Sequence, residues 1–154
     1  WWPAHEVRDL DGSEAEPSLY LYRYPARFRL MDSACWTPEI KEQLAKDYFA
    51  ILSTIRDSIL KLHAAGGHDY SLSLHNAWTD GGRVDFEYVV VDGHAHRIAQ
   101  LNDSLATWRQ KEWSAFRALA FELADLVSAE IDTASIVDVT AEPEQAPPEA
   151  CDPA

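Results

Sequence analysis

Apolar residues recur every three or four positions after Thr37-Pro38-Glu39, and this regularity constrains the fold more than any other feature of the chain. That spacing places them on one face of an α-helix about six turns long. The threonine is a suitable N-cap, the proline suits the first helical position, and the acid suits the first turn. Gly66-Gly67 predicts the helix end. The predicted buried face consists of Ile40, Leu44, Tyr48, Ile51, Ile55, Ile59 and Leu62.

A second long helix is predicted after Asn102-Asp103-Ser104, because these side chains can cap a helix N-terminus. Apolar residues then recur again at helical spacing. The predicted buried stripe consists of Leu105, Trp108, Phe116, Leu119, Leu123 and Leu126, widened by Trp113, Ala120 and Val127.

Alternating apolar and polar residues predict short strands before the first helix and between the two helices. Thr79-Asp80-Gly81-Gly82 predicts a turn, and Asp92-Gly93 predicts a type I′ hairpin. The predicted strands cover residues 18–24, 27–30, 70–74, 84–90 and 94–99, and residues 136–139 either add a short edge strand or simply pack.

This order of elements, β-β-α-β-β-β-α, favours an α+β fold with an antiparallel sheet and two long helices packed on one face. A doubly wound parallel sheet is the alternative, but the hairpin turns argue against it. Residues 1–139 are expected to form a single α+β domain. Residues 140–154 are expected to be a disordered, acidic tail rich in Pro and Glu.

The chain opens Trp1-Trp2-Pro3 without Met, which predicts that an N-terminal segment was removed or trimmed. Cys35 and Cys151 are too few for a disulfide framework or a metal cluster. Two free thiols in a reducing compartment are expected, which favours the cytoplasm, although one disulfide between them stays open. No apolar run approaches the roughly 20 residues of a membrane span.

Charge is the strongest compositional signal: 26 acidic residues stand against 13 Lys and Arg, giving a formal net charge of −13. From Asp138 to the end of the chain there are five acids and no Lys or Arg. Such a chain repels nucleic acid and anionic lipid and attracts basic proteins. The simpler interpretation is that the charge only provides solubility.

Five histidines lie close together in sequence, and His94 and His96 would share one face of a strand. With His75, or with Asp85 or Asp92, they are candidate zinc ligands of a metal-dependent enzyme. However, no His-Glu-x-x-His occurs and no third ligand has a diagnostic spacing. Histidines facing solvent beside a hairpin turn are the preferred interpretation, so no metal and no cofactor is expected.

Other catalytic signatures are missing from the sequence. It has no Gly-x-Ser-x-Gly elbow, and Asp80-Gly81-Gly82 leads into a predicted strand instead of a phosphate-binding helix. Cys35 precedes a helix start, but sequence alone places no partner base beside it. Asp85 and Glu87 could act as an acid–base pair, but a solvated strand face explains them better. No catalytic residue is assigned, and an enzyme is not expected.

A binding face is the preferred interpretation of the acids between residues 78 and 92. Asp80, Asp85, Glu87 and Asp92 would lie on strands and turns of one solvent-facing side, with Trp78 at its rim. Aromatic anchors beside a negative field suit docking to a basic protein. An inhibitor of a nuclease needs such a surface, because the nucleic-acid site of the enzyme is basic.

Five segments follow one another in a distinctive layout: the strand Leu19-Tyr-Leu-Tyr-Arg-Tyr24, the helix after Pro38, Ser71-Leu-Ser-Leu74, a glycine turn, and Val84-Asp-Phe-Glu-Tyr88. This layout resembles the YezG-like immunity proteins of bacterial polymorphic toxin systems. The resemblance runs from Trp2 to Tyr88. A helix usually precedes the first strand in that family, whereas this chain opens at Trp1. The long second helix and acidic tail also depart from the pattern.

The resemblance implies a non-enzymatic protein that binds and neutralises a cognate toxin, often a nuclease. It supplies no catalytic residues. We therefore expect an immunity or antitoxin protein that occludes a basic active site, with no direct contact to nucleic acid or membrane. The alternatives are the metal-dependent enzyme and a small acidic secretion chaperone or adaptor.

Overall fold

A computed structural model describes residues 30, 33–83, 89–91, 104–127 and 129–144. This part of the chain confirms the α+β class: it contains four helices and one antiparallel pair of strands. Short 3₁₀ turns occur at Ser33–Cys35 and Leu74–Asn76. In chain order the elements are α1 (Pro38–Lys46), α2 (Tyr48–Ala64), β1 (Gly67–Asp69), β2 (Val89–Val91), α3 (Leu105–Val127) and α4 (Thr133–Val139).

The first predicted helix begins where expected but consists of two helices, so the prediction of one continuous helix was wrong. Thr37 caps α1 by accepting a hydrogen bond from the Ile40 amide at 3.2 Å. At Asp47 the backbone leaves helical geometry, with φ −89° and ψ 4°. The side chain of Asp47 accepts a hydrogen bond from the Gln43 amide group at 2.8 Å. That contact is compatible with a continuous helix, but aspartate is a poor residue for a helix interior and therefore suits a break at this position.

The strand predicted at residues 70–74 was also wrong, because the strand β1 lies earlier, at Gly67–Asp69. It pairs antiparallel with β2, and His68 stands opposite Val90. After β1 the Asp69 carboxylate accepts hydrogen bonds from both the amide and the hydroxyl of Ser71, each at 2.9 Å. These side-chain hydrogen bonds turn the chain at residues 69–71, where the predicted strand would instead have continued the backbone hydrogen bonds of the sheet.

Among the described residues there are two strands, fewer than the predicted β-β-α-β-β-β-α order contains. The predicted strands at 18–24 and 94–99, the hairpin at Asp92-Gly93 and residues 84–88 lie outside the described residues, as does all of 27–30 except Leu30. Within the described part, residues 89–90 of the predicted 84–90 strand belong to β2. The turn predicted at 79–82 is confirmed, and Ala77 and Arg83 form an isolated antiparallel bridge across it.

The main core lies between α2 and α3, whose buried faces largely match the predicted stripes. On α2, Ile51, Ile55 and Ile59 are buried, and on α3 Phe116 and Leu123 are buried. Tyr48 is buried at the start of α2, and its hydroxyl donates a hydrogen bond to the Ala120 carbonyl of α3 at 2.6 Å. Burial raises the pKa of Tyr48 to about 12.

Of the two alternatives for residues 136–139, the edge strand was wrong, because these residues belong to the helix α4 and pack on the core. Asp132 caps this helix by accepting hydrogen bonds from the amide of Ser135 at 3.0 Å and from its hydroxyl at 2.6 Å. Ile136 is buried in the core, and so is Thr140 just beyond α4. Of the predicted tail, the structure describes residues 140–144 only.

Candidate functional site

The turn from Trp78 to Gly82 carries two of the predicted partner-binding residues, and it packs closely on α2. The Trp78 amide donates to the Gly82 carbonyl at 2.8 Å, and the Gly81 amide donates to the Trp78 carbonyl at 2.9 Å. Gly81 has φ +84°, and a Cβ there would lie 2.7 Å from the Ile51 carbonyl oxygen. Both the conformation and the close approach require glycine. The turn therefore has a fixed position on α2.

The turn exposes Asp80 but buries most of Trp78. Asp80 is exposed, and its carboxylate accepts a hydrogen bond from the Gly82 amide at 2.8 Å. Trp78 is 9% exposed, so only a small part of this residue is accessible to a partner. Asp85, Glu87 and Asp92 lie outside the described residues. The common binding face of these acids stays a prediction.

The candidate metal ligands are only partly described. His75 is exposed in the 3₁₀ turn at Leu74–Asn76, whereas His94 and His96 lie outside the described residues. Within the described ranges, no group of three His, Cys, Asp or Glu side chains is placed to hold a metal ion. Cys35 ends the 3₁₀ turn at Ser33–Cys35, and Cys151 lies outside the described part.

A buried ionic network at the other end of the turn is the main polar constellation that the structure reveals. Arg83 forms an ion pair with Asp69 through one guanidinium nitrogen. Its other terminal nitrogen lies 3.3 Å from Glu112 of α3 and 3.4 Å from the Ser58 hydroxyl of α2. The side chains of Arg83, Asp69 and Glu112 are 3%, 1% and 0% exposed. Buried charges of this kind persist only when they are paired and hydrogen-bonded.

His63 completes the network from the last turn of α2. Its Nε2 lies 2.6 Å from the second carboxylate oxygen of Glu112, which also accepts the Asp69 amide at 3.2 Å. The His63 ring packs edge-on against Trp113, and its backbone carbonyl accepts a hydrogen bond from Arg109 at 3.0 Å. Hereafter the ionic network means Asp69, Arg83, Glu112 and His63.

An aromatic cluster lies beside the network, between β1 and α3. The His68 ring stacks on Trp108 at 5.9 Å between centroids, and Tyr70 meets the same indole edge-on at 4.9 Å. The Lys111 amino group lies 4.3 Å from the centre of that ring. Trp108 and Val90 are buried together in a small second core, and Tyr70 is half exposed. This cluster covers the β1–β2 pair and joins it to α3.

The geometry of the ionic network suits structural support better than catalysis. Both carboxylates are buried and already bonded to protein groups, so neither is presented to a substrate. Only His63 reaches solvent, with 13% of its side chain exposed. The network connects β1 and the 77–83 turn to both long helices. It therefore fixes the segment that carries Asp80.

Sequence reasoning missed this network, although one signal pointed to it. Glu112 stands four residues after Trp108 and four before Phe116, directly on the buried stripe of α3. A carboxylate at such a position predicts a buried partner. No comparable signal identifies Arg83 or Asp69, because their proximity depends on how the turn folds back.

Charge is strongly segregated between the interior and the surface of the described residues. Arg56 and Arg109 donate to backbone carbonyls, and Arg83 binds carboxylates. By contrast, only two of the fourteen acids in this part are buried, Asp69 and Glu112. The exposed acids are Glu39, Glu42, Asp47, Asp57, Asp80, Glu122, Asp125, Glu130, Asp132, Asp138, Glu142 and Glu144, against the exposed bases Lys46, Lys61, Lys111 and Arg117.

None of the described helices combines the length and apolar character required to cross a bilayer. Comparison with known proteins gives no relative: no family model matches the chain, and neither the curated proteins nor the solved structures contain a match.

Proposed function

We propose that the chain is an acidic protein-binding module of the immunity type, which neutralises a basic toxin domain by covering its active site. The observation that carries the proposal is the charge segregation of the described residues: Arg56, Arg83 and Arg109 bond to groups of the fold, whereas twelve of the fourteen acids are exposed. The surface of the described part is therefore more acidic than its composition alone requires. A nuclease toxin has a basic site for its nucleic-acid substrate, and that site is complementary to such a surface.

The proposed contact face comprises Asp80 together with Asp85, Glu87 and Asp92. Asp80 is exposed on a turn that Gly81 fits closely to α2. Trp78 is almost entirely buried and its backbone closes the turn, so it would position Asp80 instead of anchoring the partner. Docking of this face on the toxin would block access of the toxin's substrate to its active site. The negative electrostatic field of the chain would accelerate association with the basic toxin.

The ionic network supports this function indirectly. It holds the 67–83 segment to α2 and α3 before any partner arrives. A preorganised face loses less conformational entropy on binding than a flexible one. YezG-like proteins, which parts of the sequence resemble, bind toxins, and a toxin is also the partner proposed here. A cytoplasmic location is part of the same proposal.

The test starts with the immobilised chain and a lysate of its source cell, in about 0.1 M and about 1 M salt, where screening lengths differ severalfold. Mass spectrometry identifies what is retained, and the purified partner is then assayed for toxic nuclease activity with and without the chain. We expect a basic partner that binds at low salt, is released at high salt and is inhibited by the chain.

Variants locate the contact. Asp80→Asn removes a charge but keeps a carbonyl oxygen that can accept the Gly82 amide, and Asp85→Lys with Glu87→Lys reverses two more charges. We expect weaker inhibition and a smaller salt dependence in both. Glu122→Gln, an exposed acid of α3, is the matched control. Equal affinity of all these variants, or no inhibited partner at either salt, would contradict the proposal.

A further inference from the structure

We propose that the ion pairs of Arg83 with Asp69 and Glu112 specify where the 67–83 segment lies on the two long helices while adding little to the net stability of the fold. This inference does not depend on the proposed function. It rests on the burial of the three charged side chains, on the convergence of their contacts, and on the small amount of regular structure in the segment.

The 67–83 segment contains little regular structure that could fix its position. Its strand β1 pairs three residues with β2, and its 3₁₀ turn at Leu74–Asn76 is equally short. The buried apolar side chains of the segment belong to the main core. Apolar burial is non-directional, so it holds the segment against the helices without selecting one position along them. Gly81 lets the turn approach α2 closely, but a residue without a side chain cannot select its neighbours.

The contacts of the network converge on one carboxylate from two distant points of the segment. Arg83 lies 3.3 Å from Glu112 of α3 and 3.4 Å from the Ser58 hydroxyl of α2. The Asp69 amide donates to the other oxygen of Glu112 at 3.2 Å. Arg83 and Asp69, 14 positions apart in the chain, also pair directly. Two points of the segment are therefore placed with respect to α3, and one of them also with respect to α2.

A displaced segment would leave buried charges without partners. The side chains of Arg83, Asp69 and Glu112 are 3%, 1% and 0% exposed. If the segment slipped along α3, Arg83 would separate from Glu112, which would stay in the interior. His63 belongs to α2 and would not move with the segment. Incompletely paired buried charges are costly, so the ion pairs raise the free energy of alternative positions relative to the observed one.

The net stabilisation from the same ion pairs should be small. Transfer of the charges from water to the interior costs free energy, and the attraction between them offsets this cost. Replacement of a complete buried ionic network by neutral groups is therefore often tolerated, whereas removal of one member is not. Experiments can thus separate the specification of position from the contribution to stability.

Urea unfolding of the full chain measures the contribution to stability. Arg83→Met leaves two carboxylates without the cation they share, so its unfolding midpoint should fall by about 1 M or more. The neutral variant combines Asp69→Asn, Arg83→Met and Glu112→Gln. It keeps oxygens that can accept the amides of residues 69 and 71 but contains none of the three charges. Its midpoint should return to within about 0.5 M of the wild-type value.

Amide hydrogen exchange and backbone NMR of the same neutral variant measure the position of the segment. We expect protection of the 67–83 amides to fall about tenfold or more, as for the loss of one charged hydrogen bond. Additional signals from alternative positions of the segment should accompany this loss, while the middle of α3 keeps its wild-type protection. Wild-type protection with a single set of signals would overturn the proposal, and so would a midpoint as low as that of Arg83→Met.

Arg83→Lys covers the case in which the neutral variant does not fold. Lysine keeps the charge but lacks the two terminal nitrogens through which Arg83 contacts Asp69 and Glu112 separately. We expect protection to fall in 67–83 more than in the middle of α3. Arg117→Lys is the matched control, because this exposed arginine of α3 bonds the Thr140 hydroxyl and should not affect 67–83. Equal protection of 67–83 in the two lysine variants would contradict the proposal.

Discussion

Two segments pack on the same pair of long helices, and each is fastened by different chemistry. The 67–83 segment is held to Glu112 of α3 by Arg83 and by the Asp69 amide, and His63 of α2 contacts the same carboxylate. The α4 segment is held instead by arginines that donate to backbone oxygens. Arg56 of α2 reaches the carbonyls of Val139 and Ala141 at 2.8 and 2.7 Å, and Arg117 of α3 bonds the Thr140 hydroxyl at 3.1 Å.

The two attachments differ in what remains when one of their groups is removed. At α4 a charged arginine bonds neutral oxygens, so removal of the arginine leaves no opposite charge behind. In the ionic network buried charges of both signs face each other, so removal of one leaves its partner unpaired in the interior. The attachment of the strand pair should therefore be more sensitive to the loss of a single side chain than that of α4.

Removal of the Glu112 charge should give the largest effect on stability. Glu112→Gln leaves Arg83 and His63 with one carboxylate between them in a buried site. We expect a loss of about 3–5 kcal/mol in the free energy of unfolding, measured by urea denaturation. Glu122→Gln on the exposed face of α3 is the control, with an expected change within about 0.5 kcal/mol. Similar changes in both variants would show that the network contributes little.

Truncation of Arg56 should give the next largest effect and should act on the other segment. Arg56→Ala removes two hydrogen bonds to carbonyls and a cation over the Trp113 ring at 5.0 Å. We expect a loss of about 2–3 kcal/mol, because charged hydrogen bonds contribute more than neutral ones. Hydrogen exchange should accelerate in α4 and not in β1. Lys61→Ala, an exposed cation of the same helix, should leave α4 unchanged.

Tyr48 secures the helix pair on which both segments rest, so its effect should be global. Tyr48→Phe removes the donor to the Ala120 carbonyl at 2.6 Å, and we expect a loss of about 1–2 kcal/mol. The pKa of Tyr48 is raised from 10.0 to about 12 by burial. Its stabilising contribution is therefore complete below about pH 10 and is lost as pH rises through about 12.

The measurement is thermal unfolding from neutral to strongly alkaline pH. The wild-type chain should lose stability steeply above about pH 10, and Tyr48→Phe should lose less over the same range because it has no phenol to ionise. Equal alkaline slopes in the two proteins would show that another group controls the transition.

The helical part of the fold followed from the sequence because a helix is specified locally. The caps at Thr37 and Ser104 and the buried faces of α2 and α3 needed only spacing and side-chain type. The same local signals would have identified α4, since Asp132 followed by Ser135 is an N-cap pattern. The sequence analysis instead gave residues 136–139 as a short edge strand or a packed segment.

The strand pair and the ionic network were less predictable because they depend on distant contacts. Asp69 and Arg83 meet only when the 77–83 turn folds back on β1, and Glu112 joins them from another helix. Alternation at 70–74 indicated a strand, but the hydrogen bonds from Ser71 to Asp69 turned the chain. Of the binding face, the sequence predicted the exposure of Asp80 but not the burial of Trp78.

The Asp132 cap should give the smallest effect, and it tests whether the two segments are independent. Asp132 is exposed, and its hydrogen bonds with Ser135 lower the pKa of its carboxyl. A lowered pKa contributes stability above the ordinary value of 3.8 that is lost as pH falls. Asp132→Ala should therefore lower the melting temperature slightly at neutral pH, with the difference from wild type shrinking in acid. Asp132→Asn keeps a capping oxygen without the charge and is the matched control.

Hydrogen exchange then decides how far the effect of Asp132→Ala extends. A cap acts within the first turn of its helix, so faster exchange should be confined to α4. The arginines that hold the far end of α4 should prevent its complete release. Faster exchange in 67–83 as well would mean that the two segments open together and that the contrast between their attachments does not make them separate units.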